Sequence, residues 1–184
     1  NDDSLNLALD TISRNKQAII FVNTRNSAEK TAEEIAKKVK DKNVAYNNLS
    51  EQALHSLSRP TKQCERLANC LKKGIAFHHS GLTAKQKALI EENFRNKTIR
   101  IIAATPTLAA GLDLPAYRVI LKNLKRYTHR GLQYIPVLEY MQMAGRAGRP
   151  KFDNNGESII VASSEAHKEE LVERYIKGEP EQLF

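Results

Sequence analysis

Chemistry in this chain concentrates in a few short polar segments. The clearest is Gln142-Met143-Ala144-Gly145-Arg146-Ala147-Gly148-Arg149. Arg146 and Arg149 are three apart, so on a helical turn they project to one side. Two guanidinium forks on one side make a clamp for phosphoryl oxygens. An isolated R-x-x-R is more often a solvated basic turn. Here Gly145 and Gly148 permit close backbone approach, and Gln142 adds an amide one turn earlier. Thr105 and Thr107 follow an apolar run and precede small residues; hydroxyls and free backbone N–H groups there suit a phosphate, or cap a helix. Asp113, in Gly111-Leu112-Asp113-Leu114-Pro115, can accept from sugar hydroxyls or from nearby amides. His79, Ser80 and Gly81 can approach a phosphodiester backbone.

Equally informative is the chemistry that is missing. A phosphate-cradling P-loop needs G-x-x-x-x-G-K-[ST], and no glycine here is followed by lysine. No aspartate is followed by glutamate, so there is no D-E-x-H or D-E-A-D box to hold magnesium. Cys64 and Cys70 lack C-x-x-C spacing, sit on a helical apolar stripe and need no redox role; free thiols fit a reducing compartment. The adjacent His78 and His79 are poorly disposed for one metal, and no metal site is expected. No nucleophile–base pair with supporting context appears around His55, His129 or His167, which weakens a small-molecule enzyme.

The 184 residues suffice for one domain with a real core. Lys plus Arg is 29 and Asp plus Glu is 21, a net charge of +8. This fits a polyanionic partner such as nucleic acid, or simply a lysine-rich surface. No apolar run approaches the roughly 18 residues of a membrane span. The first residues carry no signal peptide, and the absent initiator Met points to a fragment or a processed chain.

These segments need elements to position them. Apolar runs at 18–22, 75–77, 99–103, 118–121 and 158–162 read as buried strands. Between them, Ala28, Ala32, Ile35, Ala36 and Val39 trace one helix stripe, with Asn26 or Ser27 as cap. Cys64, Leu67, Ala68 and Leu71 trace another, ended by Gly74. A third helix starts after Thr83, a fourth at Pro136, and a last one carries Leu171, Val172, Tyr175 and Ile176 and stops at Gly178. Residues 41–60 read as an insertion with a short helix. The alternation predicts an α/β fold with a mainly parallel sheet between helices, and ligands at the carboxyl ends of its strands. Lys125 to Arg130, basic and aromatic, is either a solvated loop or a strand-separating hairpin whose aromatic stacks on a base.

In order and spacing the segments resemble the C-terminal half of a superfamily-two helicase core. Phe21-Val22-Asn23-Thr24-Arg25 resembles motif IV and His79-Ser80-Gly81-Leu82 motif IVa. Ala104 to Pro115 resembles motif V, and Gln142 to Arg149 motif VI. The wording is similar to the Ski-type helicases, and within them to the archaeal Hjm-type DNA repair helicases. The resemblance implies one RecA-like domain over 1–184, P-loop NTPase in type but without its own P-loop, the second motor domain of an ATP-dependent 3′-to-5′ helicase. It implies Arg146, Arg149 and Gln142 as catalytic, with Arg149 the principal finger. Gly111, Asp113 and Gly145 would attend the nucleotide. Thr105, Thr107, His79, Ser80, Gly81 and Arg25 would line the single-strand track. ATP and Mg²⁺ would be held mainly by a first motor domain. The expected partners are single-stranded or forked DNA, that first domain and further C-terminal domains. The expected setting is the interior of an archaeal cell, or a nucleus. A Ski-type RNA helicase and a non-catalytic nucleic-acid-binding module are the alternatives.

Overall fold

The structure, a computed structural model, describes residues 3–109, 114–147, 156–162 and 164–177. Five strands form one parallel sheet: β1 (Ala18–Phe21), β2 (Ile75–His78), β3 (Ile101–Ala104), β4 (Arg118–Leu121) and, counting past a separate pair, β7 (Glu157–Ile160). Their order is β2-β3-β1-β4-β7. Every residue of β1 to β4 is buried, as expected for apolar runs covered on both faces. The fold is the α/β, mainly parallel arrangement that the alternation predicts.

Helices alternate with the strands of the sheet, singly or in succession. Helix α1 (Asp3–Ser13) leads into β1, and α2 (Arg25–Lys38) follows it. The cap of α2 is Thr24, not Asn26 or Ser27: its side chain accepts from the Ser27 amide, so the helix begins one turn earlier than the apolar stripe indicates. Helices α3 (Val44–Leu54) and α4 (Lys62–Leu71) precede β2. The 41–60 segment therefore does carry a helix, and that helix contributes to the core. Tyr46, Leu49 and Ala53 are buried, Ser50 donates to Ala68 O at 2.8 Å, and Cys64 contacts Ala53 O at 3.0 Å. Tyr46 lies against Gly74, where a Cβ would sit 2.7 Å from the ring and φ is +75°. Only glycine fits there. Burial pushes the Cys70 thiol up to about 12, an inert core thiol.

Helix α5 (Ala84–Arg95) opens with Thr83 and Gln86 in a reciprocal capping box. After β3 a single 3₁₀ turn (Pro106–Ala109) replaces the expected helix start. The chain then forms β4 and a two-stranded antiparallel hairpin, β5 (Lys125–Thr128) and β6 (Gly131–Tyr134), outside the main sheet. Helix α6 (Val137–Ala144) follows, with Pro136 at its cap. Beyond β7, α7 (Glu165–Leu171) passes into a π turn (Val172–Ile176) that buries Tyr175. Its expected stop, Gly178, lies outside the described residues.

Two buried polar side chains tie the layers together. Gln17 donates to the Phe94 and Ile99 carbonyls, each at 2.7 Å. Arg118, in the middle of the sheet's base, reaches Asp10 at 2.9 Å, Thr11 at 3.0 Å and Glu157 at 2.8 Å. That fan joins α1 to β4 and β7. The Arg118 hydrogen bond also holds the Asp10 carboxyl below the usual range.

Candidate functional site

The parallel sheet sends its loops to one edge, and there the structure opens a cleft of about 890 Å³. Five of the residues singled out by type and spacing line it: Arg25, Ser80, Thr105, Thr107 and Gln142. They come from four different segments, following β1, β2 and β3 and on α6. Arg126 and Arg174 join them. The donors facing the cleft are guanidinium, hydroxyl and amide groups, a set suited to phosphate oxygens. Among the lining residues the one carboxylate is Glu139, and it is paired with Arg126 at 2.7 Å.

Arg25 and Ser80 are joined directly: Arg25 Nη2 donates to Ser80 Oγ at 2.7 Å. Both are exposed, and both line the cleft. Thr105 and Thr107 touch through their hydroxyls at 3.1 Å. Thr105 is only 8% exposed, while Thr107 is open to solvent. Of the two, Thr107 is the one a ligand in the cleft can reach.

His79 stands elsewhere than its expected place on the strand track. It is 1% exposed, under the loop instead of on its surface. Its Nδ1 accepts the Gly81 amide at 3.0 Å, which leaves the proton on Nε2, donated to Glu29 at 2.9 Å. Glu29 in turn accepts from Gln63 at 3.2 Å and from Arg66 at 2.6 Å. Arg66 also pairs with Glu33. Burial would raise the Glu29 carboxyl, but the hydrogen bonds from His79 and Gln63 and the Arg66 charge outweigh it and hold it below the ordinary range. The His79 ring stacks on Phe77 at 5.7 Å. A Cβ on Gly81 would come within 2.9 Å of that ring, so the loop closes over His79 only with glycine there. The neighbouring His78, at the end of β2, turns to Glu91 instead, at 2.9 Å. Successive strand residues point to opposite faces, which separates the two imidazoles.

Helix α6 ends at Ala144 with Gly145 as its cap, so Arg146 lies in the turn beyond it and not on a helical face. A Cβ at Gly145 would meet the Met141 carbonyl at 3.0 Å. Arg146 donates through Nη2 to the carbonyl of Ala109, and its own carbonyl accepts the Ala116 amide at 2.8 Å. The turn carrying Arg146 is thereby bound to both sides of the 109–116 segment. Arg149, Gly111 and Asp113 lie outside the described residues.

Lys125 to Arg130 form the first strand and the turn of an antiparallel hairpin, the shape one of the two readings requires, while a part in strand separation belongs to the proposed function. His129 and Arg130 form the hairpin's two-residue turn, with Gly131 at φ +92°. Tyr127 near the tip is 79% exposed. Residues not anticipated from sequence are Arg174 and Tyr134, and Arg126, read only as part of a basic stretch, proves to line the cleft. The Tyr134 ring lies between Lys125, at 4.6 Å, and Arg174, at 4.4 Å. Aromatic–cation spacing across 40 residues leaves no local pattern to read.

Comparison with known proteins adds independent findings. The sequence profile of the family described as "Helicase conserved C-terminal domain" matches residues 3–151. The chain is 47% identical over 180 residues to a protein of Pyrococcus horikoshii named ATP-dependent DNA helicase Hel308, covering 97% of this chain and 25% of that protein. Proteins of the same name in Methanocella arvoryzae and Caldivirga maquilingensis are 41% and 39% identical, over 99% and 98% of this chain and 25% of theirs. The chain thus spans about a quarter of the length of these relatives.

Proposed function

The chain belongs to the helicase conserved C-terminal domain family, and from that premise we propose that it is the second RecA-like motor domain, over 1–184, of an ATP-dependent 3′-to-5′ DNA helicase acting in repair or replication restart. The observation that carries the reading is the cleft at the carboxyl edge of the sheet, where Arg25, Ser80, Thr107 and Gln142 converge from separate segments. The name its relatives carry, ATP-dependent DNA helicase, supports DNA over RNA.

In this reading a single strand runs along the cleft, its phosphates meeting Arg25, Ser80, Gly81 and Thr107, while buried His79 holds the loop and covered Thr105 supports Thr107 through their hydroxyl contact. ATP and Mg²⁺ would be held mainly by a first motor domain, and closure on the bound nucleotide would bring its γ-phosphoryl group, which passes to water, within reach of this domain's arginines. Arg146 and Arg149 act on that group from across the interdomain cleft, with Arg149 the principal finger. Gln142, Gly145, Gly111 and Asp113 position the nucleotide. Closure must free Arg146 from Ala109 if it is to reach phosphate, which ties the nucleotide contact to the segment carrying Thr107. The hairpin with exposed Tyr127 is the element that parts the duplex.

The test is hydrolysis by the intact helicase with and without single-stranded DNA. In related NTPases an arginine finger is worth roughly 10³–10⁵ in rate. Arg149→Ala should lower kcat at least tenfold while nucleotide affinity changes far less. Arg149→Lys should not rescue it, because a point charge cannot replace the fork. Near wild-type hydrolysis by a folded Arg146→Ala/Arg149→Ala protein overturns the finger assignment. Stimulation by RNA in place of DNA overturns the substrate.

A further inference from the structure

A two-stranded hairpin outside a sheet is marginal by itself in water, so its direction is set by what holds it. Both strands are held from outside the pair, β6 through Tyr134, whose ring has the Arg174 guanidinium at 4.4 Å, and β5 through side-chain hydrogen bonds. Two adjacent residues of β5 are each tied to a different functional segment. The Lys125 carbonyl accepts from Asn23 Nδ2 at 2.6 Å, and Asn23 sits in the loop after β1 beside Arg25. Arg126 Nη1 donates to Glu139 Oε1 at 2.7 Å, and Glu139 is on α6. Glu139 is three residues before Gln142, hence on the same face of the helix, and both line the cleft.

Glu139 is out of keeping with its surroundings. A carboxylate facing a cleft otherwise edged by Arg25, Arg126 and Arg174 repels the phosphates that such a cleft suits. Its partner in the structure is Arg126, and the pair is half-covered, with 43% and 24% of the two side chains exposed. The bond joins the hairpin to the helix that runs directly into Gly145 and Arg146.

We propose that the Arg126–Glu139 pair is a positioning link that couples the turn carrying Arg146 to the hairpin, so that rearrangement of α6 on the nucleotide side swings β5 about its Asn23 anchor. The inference rests on the helicase reading above. It makes Glu139 a positioning residue whose loss separates fuel use from strand separation.

The experiment measures base pairs separated per ATP hydrolysed by the intact helicase on a forked DNA duplex, beside hydrolysis on single-stranded DNA. At saturating single-stranded DNA, where a change in affinity from loss of the cleft carboxylate no longer counts, Glu139→Gln should hydrolyse ATP within about twofold of wild type. Its base pairs separated per ATP should fall about two- to fivefold, the scale of a half-exposed ion pair. The charge swap Arg126→Glu/Glu139→Arg should recover most of that ratio, while Arg126→Glu alone should not. Wild-type coupling in Glu139→Gln overturns the inference, as does a lost ratio that the swap fails to recover in a protein of native thermal melt. Equal loss of hydrolysis and separation also overturns it, because the pair then serves the motor as a whole. Wild-type protein with no DNA-stimulated hydrolysis overturns the helicase reading itself.

Discussion

The imidazole of His79 and the carboxylate of Glu29 meet at 2.9 Å beneath the loop that carries Ser80 and Gly81. Through Glu29 the contact extends to Arg66 on α4, and through the Gly81 amide it extends up to the cleft. A residue that looks like a strand contact in sequence is therefore a strut. The loop's exposed polar groups, Ser80 and its partner Arg25, are presented by a buried network that spans α2, α4 and β2.

Removing the strut should unseat the loop. His79→Ala leaves the Gly81 amide without its acceptor and Glu29 short of a donor, a cost of about 1–3 kcal/mol for unsatisfied groups. Urea unfolding should report that loss, and fluorescence anisotropy should show weaker single-strand binding under conditions where the variant is fully folded. Arg25→Ala should weaken binding with little change in stability. Unchanged affinity in folded His79→Ala would mean the loop holds its shape without the imidazole.

Thr105 and Thr107 should separate in the same assays. Thr105 is covered and Thr107 open, so Thr105→Ala should mainly lower stability, and Thr107→Ala should mainly lower single-strand affinity. If the cleft's contacts go to phosphates, as proposed, binding by the isolated domain should be weak and tolerant of sequence. Its log K should fall with log[salt] at a slope of roughly −0.7 per phosphate contact. A slope near zero, or strong base preference, contradicts a phosphate track.

Much of this arrangement is legible in the sequence, because the signals are local. Branched apolar runs mark all five strands of the main sheet, and Thr83 with Gln86 marks a helix start. Thr24 is harder, since α2 begins a full turn before its first buried alanine. Helix α1 does carry a stripe, Leu5, Ala8, Leu9 and Ile12, but its seat on the sheet is fixed by Arg118, more than a hundred residues away. The burial of His79 depends on Glu29 and Gln63 from other helices, and the Arg126–Glu139 pair depends on how a hairpin folds back on α6. Such long-range pairings leave no periodic trace.

Stability should have an acid limb in two stages. Burial holds the His78 imidazole below its ordinary value of 6.5, against the opposing pull of Glu91. The unfolded chain therefore binds that proton more readily, so the contribution is full above pH 6.5 and declines as pH falls below it. Glu29, held below its ordinary 4.5, contributes above that pH and loses its contribution as pH falls through its lowered value. Thermal melts from pH 8 to 3 should show Tm falling first below 6.5 and again below 4.5. His78→Gln, which keeps a donor toward Glu91 but does not titrate, should flatten the first stage only. A first stage that persists in His78→Gln would place the titration on another group.

The hairpin tip offers the sharpest distinction between moving along a strand and opening a duplex. Tyr127 is 79% exposed and Leu132, its register partner across the hairpin, is 51% exposed. An aromatic ring and an aliphatic chain held in water on a two-residue turn are costly to leave bare, and a base at a fork junction is a surface that both can cover. Stacking of one base on an aromatic side chain is worth about 1–3 kcal/mol. If Tyr127 meets the terminal base pair, Tyr127→Ala in the intact helicase should slow separation of a forked duplex about tenfold. Displacement of a protein block from single-stranded DNA, which requires translocation but no base-pair opening, should fall less than twofold. Tyr127→Trp should retain most of the separation rate, since any large ring supplies a stacking face, whereas Tyr127→Leu should recover only part. Rates would be measured at saturating ATP on duplexes of increasing G·C content, where a stacking wedge predicts that the defect grows with base-pair strength. A defect of the same size on both substrates would make the tip a general strand contact, and no defect on either would leave the hairpin without a part in opening the duplex.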